Sequence, residues 1–136
     1  MGTRSMVGVM VGNKVRAVYV HWDGYLDGVG AGLQDYTTQA EVEELISHGD
    51  RSSLDEGYYK DRGETGVEPS EYATFDEFYD AVEGCGGEYY YVFKDGTWYC
   101  GDTYGKYGHP TSISRKLVAY ADAVEMQAAE REAEDA

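Results

Sequence analysis

The sequence predicts an α+β domain in which two β-hairpins build one antiparallel sheet and helices pack against it, in the order ββααββα. Three observations carry that expectation. Two pairs of β-rich runs flank the two-residue turns Gly12-Asn13 and Asp95-Gly96. Two Thr-x-x-Glu segments, starting at Thr38 and Thr74, open apolar-periodic stretches. Near the C-terminus, Ile113, Leu117, Tyr120, Val124 and Ala128 recur at helical spacing.

The first hairpin joins Met6–Val11 to Lys14–Val20. Pairing Val11 with Lys14 sets Val9 opposite Arg16 and Val7 opposite Val18, and leaves Met6, Met10, Val15, Ala17 and Tyr19 on the other face. Both faces are largely apolar, so the hairpin belongs in the middle of its sheet. Residues 25–36 carry Gly28, Gly30 and Gly32, which weaken a helix there. Thr38 to Glu41 is a capping box, Val42, Leu45 and Ile46 make a stripe, and Gly49 stands where a left-handed residue closes a helix. Residues 50–72 read as one long polar loop.

Thr74 to Glu77 repeats the capping logic for a helix with Phe75, Phe78 and Val82 on one face and Gly84 as its stop. Glu88–Lys94 and Thr97–Cys100 flank Asp95-Gly96 in a type I′ hairpin that sets Phe93 opposite Trp98 and Val92 opposite Tyr99. The last helix starts near Ile113, with Arg115 and Lys116 at its head and acids at its tail, an arrangement that opposes the macrodipole. The expected organisation is one domain over residues 1–121 and an acidic helical or frayed tail over 122–136. Cys85 and Cys100 are expected to remain free thiols, being placed far apart along an extended strand.

Charge narrows the partners. The 136 residues carry 26 acidic and 11 basic side chains, for a net charge of −15. Residues 41–83 hold 14 acids and 3 bases, and residues 122–136 hold 6 and 1, so the imbalance sits in two blocks while the rest of the chain sums to +1. Direct binding to nucleic acid is disfavoured by that sign. No apolar run approaches the ~20 residues of a membrane span, and the N-terminal residues lack a signal-peptide pattern, so a cytoplasmic setting without membrane contact is expected. Tyr outnumbers Phe 14 to 3, which favours partly wet packing and binding surfaces.

Several residues could carry chemistry. His21-Trp22-Asp23-Gly24-Tyr25 follows the second strand and reads either as a pocket of imidazole, carboxylate and stacking rings, or as a core Trp beside a turn. His48–Leu54 follows a helix, and Asp50 with its serines would serve either a site or its own turn backbone. The loop Tyr58–Glu64 gathers two rings and both charge signs, and Arg62 could fork onto a phosphate or carboxylate, with Glu64 beside it. His21 with Asp23 or Asp50 could also serve a small hydrolase. There is no CxxC, HxxxH, phosphate loop, GxGxxG or nucleophile elbow, so no metal and no cofactor is expected.

With Gly2-Thr3-Arg4-Ser5, the His21–Tyr25 turn, Gly49–Leu54, Asp61–Glu64 and the aromatic hairpin Glu88–Tyr99 in view, the chain resembles a group of small bacteriophage and prophage proteins over most of residues 2–100. The resemblance implies a phage origin and a bacterial cytoplasm, brings no activity with it, and suggests that the polar motifs share one site. The candidate ligand-binding residues are therefore His21, Trp22, Asp23, Tyr25, Asp50, Arg62 and Glu64. The expected function is a non-enzymatic phage accessory protein that binds and inhibits a host component, such as a bacterial defence system, through its acidic surfaces. The alternatives are a binder of a small nucleotide signal and a small hydrolase, and homo-oligomerisation stays open.

Overall fold

A computed structural model describes residues 3–54 and 68–135. Six strands form one sheet: β1 (Ser5–Val11), β2 (Lys14–Val20), β3 (Ser70–Tyr72), β4 (Tyr89–Lys94), β5 (Thr97–Asp102) and β6 (Val118–Ala119). Their order is β3-β2-β1-β4-β5-β6. Among the described residues four α-helical segments accompany them: α1 (Ala31–Leu33), α2 (Gln39–Ser47), α3 (Phe75–Gly84) and α4 (Tyr120–Asp135). A π-helical turn covers Leu26–Gly30 and a 3₁₀ turn covers Tyr104–Tyr107. The fold is α+β, as the pattern of the chain implies.

Both hairpins adopt the register their turns dictate. Val11 pairs with Lys14, Val9 with Arg16 and Val7 with Val18 around Gly12 at φ 65°. In the second, Asp95 and Gly96 at φ 50° and 80° make the primed turn, and Phe93 faces Trp98 with ring centroids 5.2 Å apart. The expectation of a wholly antiparallel sheet is corrected: β1 and β4 run parallel, Val7 beside Tyr91, so the two hairpins join side by side into a mixed sheet. Each hairpin sets its own register through a turn, whereas the pairing between hairpins is chosen by burial of β1 and β4 on both faces.

Alternation along the central strands divides the core in two. Val7, Val9, Val18, Val20, Tyr91 and Phe93 face Leu26, Val29, Leu33, Val42, Ile46 and Ala123. Met6, Val15, Ala17, Tyr90 and Val92 face Phe78, Tyr79 and Val82 of α3. The acidic 41–83 block is thereby split, with Glu43 and Glu44 of α2 on one side of the sheet and Asp76 and Asp80 of α3 on the other.

Both threonine N-caps form, whereas the reciprocal half of each box differs: Glu41 Oε1 accepts the Thr38 hydroxyl and Glu77 Oε2 the Ala73 amide. Thr38 Oγ1 accepts the Glu41 amide at 3.2 Å, and Thr74 Oγ1 accepts the Glu77 amide at 3.2 Å. Gly49 takes the left-handed geometry after α2 at φ 83°. Helix α3 does end at Gly84, although the left-handed residue is Gly86. The glycine-rich 25–36 segment condenses into the π-turn and the single turn α1.

The largest departure lies before α4. The helix begins at Tyr120 rather than near Ile113, because residues 111–116 are strapped to the end of β5. The buried Asp102 carboxylate accepts the hydroxyls of Ser114 and Thr111, each at 2.5 Å, and the Tyr104 amide at 3.1 Å. Its main chain bonds to Ile113 and Arg115, and Arg115 sits at φ 61°, which no helix tolerates. Arg115 and Lys116 thus precede the helix, whose first turn carries Asp122, so the expected clash with the macrodipole at its head is absent. The acidic segment from 122 onward continues α4, with Ala123 buried and Met126 packed on the core. Likewise, the 50–72 stretch is not loop throughout: Arg51 bridges to Val20, and Ser70–Tyr72 forms the edge strand beside β2.

Candidate functional site

Three of the four short polar segments meet at one end of the sheet. The Arg51 amide donates to Tyr19 O at 2.9 Å, His21 N to Arg51 O at 3.2 Å, and Trp22 N to Ser52 O at 2.9 Å, so residues 50–52 run parallel to the outgoing end of β2. Gly24 N donates to Thr3 O at 2.8 Å, which ties the N-terminal segment to the same turn. The fourth segment, Asp61–Glu64, with its candidates Arg62 and Glu64, lies outside the described residues, as does the rest of Tyr58–Glu64.

The turn itself is held open by backbone chemistry. Asp23 adopts φ 58°, a left-handed geometry that Asp tolerates better than most residues. Its carbonyl accepts Val29 N at 2.7 Å, and a Cβ on Gly28 would come within 2.2 Å of that oxygen, so only glycine fits there. Two phenols tie the turn down: the buried Tyr91 donates through Oη to Gly24 O at 2.6 Å, and the half-buried Tyr120 through Oη to Leu26 O at 2.9 Å. Trp22 and Tyr25 are left at the surface, 42% and 41% exposed.

Beside this turn lies an open groove of about 580 Å³, bounded by Trp22, Asp23, Gly28, Val29, Gly32, Asp35, Tyr36, Glu41, Ser53 and Leu54. It is walled by two aromatic rings and three carboxylates, and its described lining holds no Lys, Arg or His. Tyr25 Oη donates to Asp23 Oδ1 at 3.2 Å, and this bond to a carboxylate is the main cause that raises the Tyr25 phenol above its ordinary pKa. Glu41 Oε1 accepts Thr38 Oγ1 at 2.9 Å. The Asp35 amide donates to Gly32 O at 3.4 Å, while its carboxylate has no hydrogen-bond or ion-pair partner among the described residues. A one-signed concavity of this kind concentrates cations and repels phosphate.

The remaining candidates are placed elsewhere. Tyr19 Oη and His21 Nδ1 are 2.7 Å apart, and the His21 ring meets Trp22 edge-on at 4.7 Å between centroids. Asp50 Oδ1 accepts the Tyr19 amide at 2.9 Å and lines a smaller cavity of about 260 Å³ with Tyr19, Met6, Ala17 and Cys85, on the α3 side of the sheet. The candidates therefore divide: Trp22 and Asp23 form one wall of the groove with Tyr25 bonded behind them, whereas Asp50 belongs to the opposite face. Neither the His21–Asp23 nor the His21–Asp50 pairing is the one the ring makes; its Nδ1 engages Tyr19.

Sequence reasoning missed Asp35, Tyr36 and Glu41. Glu41 was legible only as a cap, and Asp35-Tyr36 followed a glycine-rich stretch with no readable periodicity. Leu54 was visible as the last residue of the Gly49–Leu54 segment. The cysteines offer no nucleophile: both are free, burial raises the Cys85 thiol, and burial with nearby Asp102 pushes Cys100 up to about 12. Among the described residues no group of three or more His, Cys, Asp or Glu could hold a metal ion, and no helix is long and apolar enough to cross a membrane. No family model, no curated protein and no solved structure matches this chain.

Proposed function

We propose that this is a non-enzymatic phage accessory protein that acts in the bacterial cytoplasm by binding and inhibiting a host protein, a component of a defence system. The observation that carries the reading is the groove beside the His21–Tyr25 turn, where an exposed Trp22 stands next to Asp23, Asp35 and Glu41 on a turn tied down by the Tyr91 and Tyr120 hydroxyls. Exposed tryptophans at the rim of a concavity act as anchors for partner proteins. The same carboxylates weigh against a nucleotide, whose phosphates would meet three negative charges and no described cation. The separate engagements of His21, Asp23 and Asp50 weigh against a hydrolase.

Capture of host proteins by the tagged protein, compared with Trp22→Ala at equal folded concentration, tests this. A specific host protein held by the wild type and lost from the variant is the expected result. Equal capture by both, or retention of a nucleotide with 260 nm absorbance after purification, would overturn it.

A further inference from the structure

We infer that the groove receives an arginine side chain presented by an extended segment of the partner protein; this rests on the partner-binding reading above and names the chemistry of that partner. Two independent features point the same way. The first is aromatic: Trp22 and Tyr36 line the groove, and Trp22 stays 42% exposed although burial of a ring that size is ordinarily favourable. Ring faces attract a guanidinium by cation–π interaction.

The second feature is the state of the carboxylates. The Asp35 carboxylate has no partner among the described residues, whereas Asp23 Oδ1 accepts the Tyr25 hydroxyl and Glu41 Oε1 accepts the hydroxyls of Thr37 and Thr38. Their remaining acceptors have no counter-charge in the described lining. A planar guanidinium satisfies both features at once, because it stacks on a ring while its edge donates to carboxylates in pairs, which a lysine ammonium cannot do. At about 580 Å³ the groove also exceeds one side chain and admits the flanking backbone of a short segment.

The test uses the full chain and a capped Gly-Arg-Gly-Arg-Gly peptide, with its citrulline counterpart as the uncharged isostere. Binding is followed by the indole resonances in ¹H–¹⁵N spectra. The arginine peptide is expected to shift the Trp22 indole signal, to weaken as salt rises, and to bind about tenfold more weakly to Asp35→Asn, the loss of one charge-assisted contact. Asp23→Asn, which keeps a residue tolerant of φ 58°, should behave the same way and guards against a folding artefact.

Equal binding of the citrulline peptide, or wild-type affinity in both variants, would overturn the arginine assignment. The two readings separate cleanly in the host-capture experiment. Capture lost with Trp22→Ala but unaffected by Asp23→Asn and Asp35→Asn rejects the cationic partner and keeps the groove. Capture unaffected by Trp22→Ala rejects both.

Discussion

The Tyr91 hydroxyl donates to the carbonyl of Gly24 across 67 positions of sequence, at 2.6 Å and out of contact with solvent. This bond joins the centre of the sheet to the turn that carries Trp22 and Asp23, and it explains why a strand of three consecutive tyrosines can be wholly buried. Tyr90 does the same on the opposite face, donating to Lys116 O at 2.5 Å. Tyr90 and Tyr91 thus act as apolar rings whose polar tips tie loops to the sheet.

Tyr91→Phe should lower stability by about 1–3 kcal/mol, because it leaves the buried Gly24 carbonyl unpaired while conserving the ring. Urea denaturation measures the loss. A change below about 0.5 kcal/mol would mean that water reaches the carbonyl and that the tie is dispensable.

The buried phenols also set the behaviour in alkali. Burial raises the pKa of Tyr90, Tyr91 and Tyr104 in the folded protein, so that these phenols keep their protons to higher pH. Above pH ~10 the unfolded chain releases protons that the folded state keeps, so stability is fully present below that pH and falls as pH rises beyond it. Phenolate absorbance near 295 nm should therefore show a late fraction that appears together with the loss of far-UV circular dichroism. Full ionisation of all the tyrosines while the fold persists would contradict these placements.

Asp102→Ala should cost more than either Thr111→Val or Ser114→Ala, since it strands two hydroxyls and the Tyr104 amide at once. A loss of about 2–4 kcal/mol is expected for the aspartate, against about 1–2 for each hydroxyl. The two hydroxyl substitutions combined should be non-additive, because they share one carboxylate. Thermal or urea unfolding of the set provides the cycle. Additivity would show that the strap at 111–116 is not a cooperative unit.

Neither thiol should react readily at neutral pH. Cys100 is fully buried with its pKa pushed up to about 12, and Cys85 is half-buried and also raised. A chromogenic disulfide reagent should label Cys100 only after denaturation and Cys85 slowly before it. Rapid native labelling of both would refute the described burial.

Local signals in the chain were strong enough to be read directly. The Gly12-Asn13 and Asp95-Gly96 turns, the Thr38 and Thr74 caps and the alternation of Val7, Val9, Tyr91 and Phe93 each depend on neighbours a few residues away, and each formed as expected. Helical spacing from Ile113 misled because periodicity registers apolar side chains and not the buried carboxylate of Asp102, which takes the 111–116 segment for its own hydrogen bonds. The site was legible in halves. Trp22 and Asp23 stood out in one segment and Leu54 in another, whereas Asp35 and Glu41 join them only through the path of the chain around the π-turn.

By itself the sequence determined the hairpins, the capped helices, the α+β class and the segregation of acidic charge, since turn geometry, side-chain period and charge are properties of short stretches. Only the tertiary structure decided that β1 and β4 pair in parallel, that the acidic block is split by the sheet, and that Asp50 and Asp23 serve opposite faces. Those outcomes follow from burying both faces of the two central strands at once, a condition that residues far apart in the chain satisfy only together.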